Sequence, residues 1–247
     1  MKLEQPQSVR TIFFDAGFTL LYPSPSILGV CQQACQQLGL HVDLDQLKEG
    51  LQNAENFRFR QSQPSRQTWA DEQAIADFWF SYYMSLLEPL VAEHDEALLD
   101  QLVRTITEAF EKHTNWQLYP DVKPTLEAFQ AKGYSLGVIS DWNIALGPLL
   151  RQFDLTQYFD CLVISSVARH AKPSPKLYDM ALERANAIPD YTVHIGDSYI
   201  HDVLGARAVG ITPILLDRAK TLTENKVDCL LVHSLYELLD LLEIRRP

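Results

Sequence analysis

Three observations predict an open α/β fold: a parallel sheet with helices on both faces, interrupted near its start by an all-helical domain. The apolar run Thr11, Ile12, Phe13, Phe14 ends on Asp15 and turns through Gly17, as a buried strand does when it delivers an acid to the carboxyl edge of a sheet. From Pro120 onward, short apolar runs alternate with segments of helical periodicity, the pattern of parallel strands joined by crossover helices. Between these regions, from Ser24 to Asn115, helical periodicity continues without a strand signal. The expected division is a sheet domain from residues 1–22 and 116–247, with a helical domain at 23–115.

Each element has a local reason. Ser26 to Leu40 reads as the first helix. Leu44, Leu47, Leu51 and Ala54 give the second its apolar face, with Asp43 as its N-cap. QSQPSRQ is a loop. A third helix is expected from about Thr68 to Leu87, and Leu98, Leu99, Leu102, Val103, Ile106 and Phe110 mark a fourth. Asp121 is expected to cap a helix bearing Val122, Leu126 and Phe129, which Gly133 ends. Strands are expected at Ser135 to Ile139, Leu162 to Ile164, Thr192 to Ile195, Pro213 to Leu216 and Cys229 to Val232. Helices fill in from about Ala145, Pro175, Ile200 and Ser234.

Composition narrows the function classes. The 247 residues carry a formal net charge of -11, which argues against a nucleic-acid surface built from clustered Lys and Arg. No apolar stretch approaches a membrane span, and MKLEQPQSVR lacks the apolar segment of a secretion signal, so a cytoplasmic protein is expected. Cys31, Cys35, Cys161 and Cys229 show no metal-like spacing and read as buried small apolar residues. The expected partner is a small-molecule substrate, with neither nucleic acid nor membrane.

Polar groups recur where strands end. Asp15 follows the first strand, Ser140 and Asp141 follow YSLGVI, and Asp197 follows TVHIG, with Asp202 five residues later and Lys172 in the loop ARHAKPSP. Carboxylates converging on one sheet edge repel unless a cation sits among them, and hard oxygen donors select Mg²⁺. A lysine and a hydroxyl beside them suit a phosphoryl group.

These residues resemble the four motifs of the haloacid dehalogenase-like hydrolase superfamily. Asp15 and Thr19 form DxxxT, Ser140 ends the second-motif strand, Lys172 opens KPSPKLY, and Gly196 to Asp202 read GDSYIHD. The helical insertion is similar to the cap of subfamily I, and the sheet domain then corresponds to a Rossmann-like core. The resemblance implies that Asp15 is a nucleophile forming an aspartyl-phosphate and that Ser140 and Lys172 hold the transferring group. It implies Mg²⁺ held by Asp15, the backbone carbonyl of Gly17, and Asp197 and Asp202, one of these two direct and the other through water. Thr19, Asp141 and Asn143 are the expected substrate-side residues.

Gly17 departs from the pattern. Phosphatases of the superfamily carry at this place an aspartate that protonates the leaving oxygen and later activates water, acid or base catalysis commonly worth on the order of 10² to 10⁴ in rate, and Gly17 can do neither. Three outcomes stay open. One is a phosphatase with a good leaving group, or one that borrows an acid from Asp141, His170 or the cap. Another is a dehalogenase or phosphonatase-type hydrolase, for which Lys48 in DLDQLKEGL is the Schiff-base candidate. The third is a weakly active or non-catalytic protein that binds a phosphorylated ligand.

Other residues carry bland readings beside functional ones. Arg58, Arg60 and Arg66 read as solvated arginines before anion grips. Trp69, Phe78, Trp79 and Tyr82 read as helical core before a substrate box. His170 reads as structural, and Trp142, after Asp141, as a turn residue or a ligand contact.

Overall fold

The computed structural model describes residues 6–61, 67–91, 95–223 and 226–246. The chain divides into two compact units, Met1–Leu21 with Leu118–Pro247, and Tyr22–Gln117.

The first unit is built on a six-stranded parallel sheet. Its strands are β1 (Thr11–Phe14), β4 (Ser135–Ser140), β5 (Cys161–Ile164), β6 (Thr192–Gly196), β7 (Thr212–Leu216) and β8 (Leu230–Val232), in the order β5-β4-β1-β6-β7-β8. The strand order runs outward in both directions from β1, so the loops after β1, β4 and β6 share one edge of the sheet. Open α/β folds bind ligands at that edge. In register, Phe14 lies beside Val138 on one side and Ile195 on the other.

Both faces of the sheet are buried, which explains why its strands read as continuous apolar runs. Phe13 packs with Ile139, Leu177, Tyr178 and Ala206 on one face. Phe14 turns to the other, where its ring meets Phe129 and Phe159. That alternation brings helices α8 (Pro175–Ala185) and α9 (Leu204–Arg207) to the first face and α5 (Val122–Ala131) to the second. Gly133, at φ +76, ends α5 as expected, with Tyr134 N donating back to Phe129 O.

Asp121 does not cap α5 with its side chain. Its carboxylate instead receives two hydrogen bonds from Arg218, both at 3.0 Å, and a third from Leu235 N at 2.8 Å, at the start of α10 (Leu235–Leu241). A guanidinium fork offers charge-assisted donors that a local backbone N–H cannot match.

The second unit is helical: α1 (Ile27–Gln37), α2 (Leu44–Gln61), α3 (Glu72–Leu87) and α4 (Glu96–Glu111). Two short strands, β2 (Leu21–Pro23) and β3 (Trp116–Leu118), pair with each other where the chain enters and leaves it; sequence periodicity missed them because three residues are too few to show one. The first helix ends earlier than expected because Gly39 takes φ +80 and Leu40 N folds back onto Cys35 O. The expected third helix breaks at Asp71, which accepts from Gln73 N and Ala74 N and so caps α3 after a short 3₁₀ turn at Thr68–Ala70. Asp43 caps α2 in a reciprocal pair with Gln46.

Cys31, Cys35, Tyr82, Leu86, Leu102 and Ile106 share the core of this unit. Phe78 and Tyr82 are buried there, with Trp69 and Trp79 ringed against them, so these aromatics are packing residues. All four cysteines are buried free thiols. Of the QSQPSRQ loop, residues 62–66, including Arg66, lie outside the described residues. No helix among the described residues is long and apolar enough to cross a membrane.

Candidate active site

Asp15 takes up its position through the sheet itself, because its N–H continues the ladder by donating to Ile195 O at 2.9 Å. Its Oδ1 receives Ser140 Oγ at 3.2 Å, from the end of β4, and Lys172 Nζ at 2.7 Å. Lys172 also reaches Asp202 Oδ1 at 2.6 Å. Three residues separated widely in sequence thus meet Asp15 or its lysine partner in a buried cluster.

GDSYIHD folds so that its last acid returns to its first glycine. Ser198 N donates to Asp202 Oδ2, and Ser198 Oγ accepts from His201 N, which winds Tyr199–Val203 into a single wide turn. The Asp202 carboxylate then lies in the space a Cβ on Gly196 would need, so only glycine fits there. Tyr178, from KPSPKLY, donates its hydroxyl to His201 O at 2.7 Å and braces the turn.

His194, in the middle of β6, was not singled out from sequence. It is fully buried, with Nε2 2.9 Å from Asp202 Oδ1. A carboxylate only accepts, so Nε2 carries the proton. Burial holds its pKa below the ordinary value, so the ring is neutral, and its Nδ1 has no hydrogen-bond partner among the described residues. A histidine inside an otherwise apolar strand was the available signal.

Charge is unevenly shared in the cluster. Burial works against the ammonium of Lys172, but Asp15 and Asp202 raise its pKa well above the ordinary lysine value. Asp202 is desolvated as well, yet Lys172 and His194 hold it below the usual carboxylate range. Asp15 is raised, because burial and the charge of Asp202 outweigh the lysine. Asp197, expected to point inward with Asp202, is the exposed member of the group, close enough to Asp15 and Asp202 to feel their charge. Desolvation by its neighbours, then repulsion from Asp15 and Asp202, pushes it up to about 8.

Three carboxylates against one ammonium form a hard-oxygen donor set with excess negative charge, which fits a divalent cation such as Mg²⁺. Asp15, Asp197, Asp202 and the carbonyl of Gly17 are the groups that could hold it. Among the described residues, no three His, Cys, Asp or Glu side chains already converge as a metal cage.

The expected substrate-side residues separate. Thr19 is fully buried; its carbonyl accepts from Arg218 at 2.7 Å, while its Oγ1 has no hydrogen-bond partner among the described residues. Asn143 Oδ1 accepts from Ala145 N at 3.1 Å, a turn contact at the start of α6 (Leu146–Gln152). Asp141 stays at the site: Oδ1 accepts from Lys172 N at 2.9 Å, while Oδ2 is buried without a hydrogen bond among the described residues. Burial, opposed by Lys172, pushes it up to about 7. His170 is half-buried in the loop before Lys172, its N–H on Ser165 O.

Residues 9–210 match the family model of the haloacid dehalogenase-like hydrolases. The chain belongs to this family. Among its relatives, haloacid dehalogenase-like hydrolase domain-containing protein 3 of Danio rerio is 30% identical over 211 residues, covering 85% of this chain and 86% of the relative. Phosphoglycolate phosphatase of Salmonella typhimurium is 26% identical over 211 residues, covering 84% and 81%. In fold, the chain is similar to the HAD-hydrolase YfnB of Bacillus subtilis bound to magnesium, with a TM-score of 0.77 at 18% identity, covering 96% and 99%. For a haloacid dehalogenase-like hydrolase, the sheet edge that gathers Asp15, Ser140, Lys172 and Asp202 is the place to seek the reaction.

Lys48 does not suit Schiff-base chemistry. It is exposed and paired with Asp45 at 2.8 Å, and that hydrogen bond raises its pKa, whereas an amine nucleophile needs a lowered one. Arg58 is likewise exposed and paired with Glu55.

Proposed function

We propose that this haloacid dehalogenase-like hydrolase is a phosphatase-type enzyme that acts on a small phosphorylated metabolite through an aspartyl-phosphate on Asp15. The observation that carries this reading is the convergence of Ser140 Oγ and Lys172 Nζ on one oxygen of Asp15, Oδ1. With Oδ1 engaged by both donors, Oδ2 is the oxygen assigned to attack phosphorus.

Ser140 and Lys172 orient the nucleophile in the resting site and supply donors to the phosphoryl oxygens when substrate enters. Asp202, kept ionised, fixes Lys172 from the other side, and His194 fixes Asp202. Mg²⁺, held by Asp15, the Gly17 carbonyl, Asp197 and Asp202, would supply the positive charge that the lysine alone does not. The phosphatase among the relatives and the acid-rich GDSYIHD support this reading over a dehalogenase.

The test is turnover of a phosphate-ester panel with Mg²⁺ and with chelator, together with intact-mass detection of a phosphorylated protein. Asp15→Asn should lose on the order of 10³-fold or more in turnover and show no phosphoryl adduct. Full turnover by Asp15→Asn would overturn the nucleophile assignment, and chelator-insensitive turnover the metal.

A further inference from the structure

Gly17 is not there for its backbone. Among the described residues the glycines with positive φ are Gly39, Gly133 and Gly210, whereas the left-handed place in this turn is taken by Phe18, at φ 55. Position 17 therefore accepts an L side chain conformationally. What such a side chain would meet is Trp142: its ring carbon Cζ3 lies 3.2 Å from the Cβ that residue 17 would carry and Cε3 4.0 Å from it, with nothing else within 4 Å among the described residues.

The ring belongs to a braced segment. Trp142 N donates to Ser165 Oγ at 3.1 Å, and Trp142 O accepts from Ser166 N at 3.3 Å, which ties the loop after β4 to the buried start of the segment after β5. Gly17 stands two residues after Asp15 and Trp142 two after Ser140, so the Cζ3 edge of an aromatic ring lies beside the turn that carries the nucleophile. Phe18 and Ile144, the next apolar residues of the same two loops, are 44% and 65% exposed.

We propose that Trp142 fills the space of the side chain absent at position 17 and thereby makes the site specific for aryl and acyl phosphates, whose leaving oxygen departs without a proton. This rests on the phosphatase reading and names its substrate class. Asp15 Oδ2 forms a bond to phosphorus as the bond from phosphorus to the leaving oxygen breaks, and that oxygen leaves with the electron pair as an aryloxide or a carboxylate. Water then adds to phosphorus, the Asp15–phosphorus bond breaks back to carboxylate, and both water protons leave on inorganic phosphate. No step needs an acid at position 17, and the apolar flank accommodates the organic half of an aryl phosphate.

The experiment compares wild type, Gly17→Asp, Trp142→Ala, Gly17→Asp/Trp142→Ala and Asp141→Asn in thermal unfolding, and in kcat/KM on substituted phenyl phosphates, acetyl phosphate and glycerol phosphate. Wild type should favour the aryl and acyl substrates over the alkyl ester by on the order of 10²-fold or more, more steeply as the phenol becomes more acidic. Gly17→Asp alone should lower Tm by roughly 3–10 °C with no alkyl gain, through overpacking against the ring. The double variant should recover most of that Tm relative to Trp142→Ala and gain about 10²-fold on the alkyl ester.

Equal aryl and alkyl turnover by wild type overturns the proposal, as does an alkyl gain from Gly17→Asp with Tm unchanged. Alkyl turnover lost selectively in Asp141→Asn overturns it too, by making Asp141 the acid. If wild type turns over no phosphate at all, the phosphatase reading fails and the substrate class with it, while non-additive Tm values still decide whether the two positions compete for one space.

Discussion

At the scale of single residues, Asp141 shows how one carboxylate can be costly to the fold. It is largely buried, holds Lys172 N with one oxygen, and has a pKa pushed up to about 7 by desolvation. A raised carboxyl pKa means that the folded state holds the proton more tightly than the unfolded state. The stabilisation is therefore fully present below the unfolded pKa near 3.8 and is lost as pH rises through about 7. Asp141→Asn keeps an oxygen for Lys172 N and cannot ionise. It should be more stable than wild type at pH 8.5, by on the order of 1–3 kcal/mol, with the difference shrinking toward pH 4; urea titrations at the two pH values measure it. A constant difference across that range would mean that Asp141 does not titrate there. Asp202 carries the opposite sign: its pKa is lowered, so its contribution is present above 3.8 and disappears only as pH falls further.

At the scale of elements, the sheet loops are held by side chains from distant parts of the chain. Asp121, 5% exposed, joins the start of α5 to the start of α10 and to Arg218, whose guanidinium lies 3.7 Å over the Tyr119 ring and also holds the Thr19 carbonyl. Asp121→Ala leaves that guanidinium without its buried counter-charge. It should destabilise the sheet unit by about 3–5 kcal/mol, measured by denaturant unfolding, whereas loss of an ordinary helix cap costs about 1 kcal/mol. The local signals were legible: Gly133 and Asp43 act at the helix ends their sequence positions indicate. The use of Asp121 was not, because its partners Arg218 and Leu235 lie 97 and 114 residues away.

At the scale of the whole molecule, the chain leaves the sheet unit at Leu21 and re-enters at Leu118. The two connections lie side by side, since Tyr119 N donates to Leu20 O at 3.1 Å and Ser24 N to Asn115 O at 2.9 Å. The apolar cores of the two units are separately populated, with Leu86, Leu102 and Ile106 in one and Phe13, Tyr178 and Ala206 in the other. Replacing residues 22–117 by a short Gly/Ser linker should therefore leave a sheet unit that unfolds cooperatively and keeps its parallel-sheet circular dichroism, because closing a short loop there costs little entropy. A non-cooperative transition would show that the sheet unit depends on the helical one.

The sequence by itself determined the parallel sheet, because continuous apolar runs between helical segments have few other ways to bury both faces. It also determined which loops carry Asp15, Ser140, Lys172 and Asp202, since those loops must share the carboxyl edge. Tertiary structure alone decided the arrangement around them: His194 behind Asp202, Tyr178 bracing the turn, Thr19 fully buried, Asp197 exposed beside Asp15 and Asp202, and the Trp142 ring edge against Gly17. That arrangement depends on distances between residues far apart in the chain, and local periodicity, capping and turn chemistry carry no information about such distances.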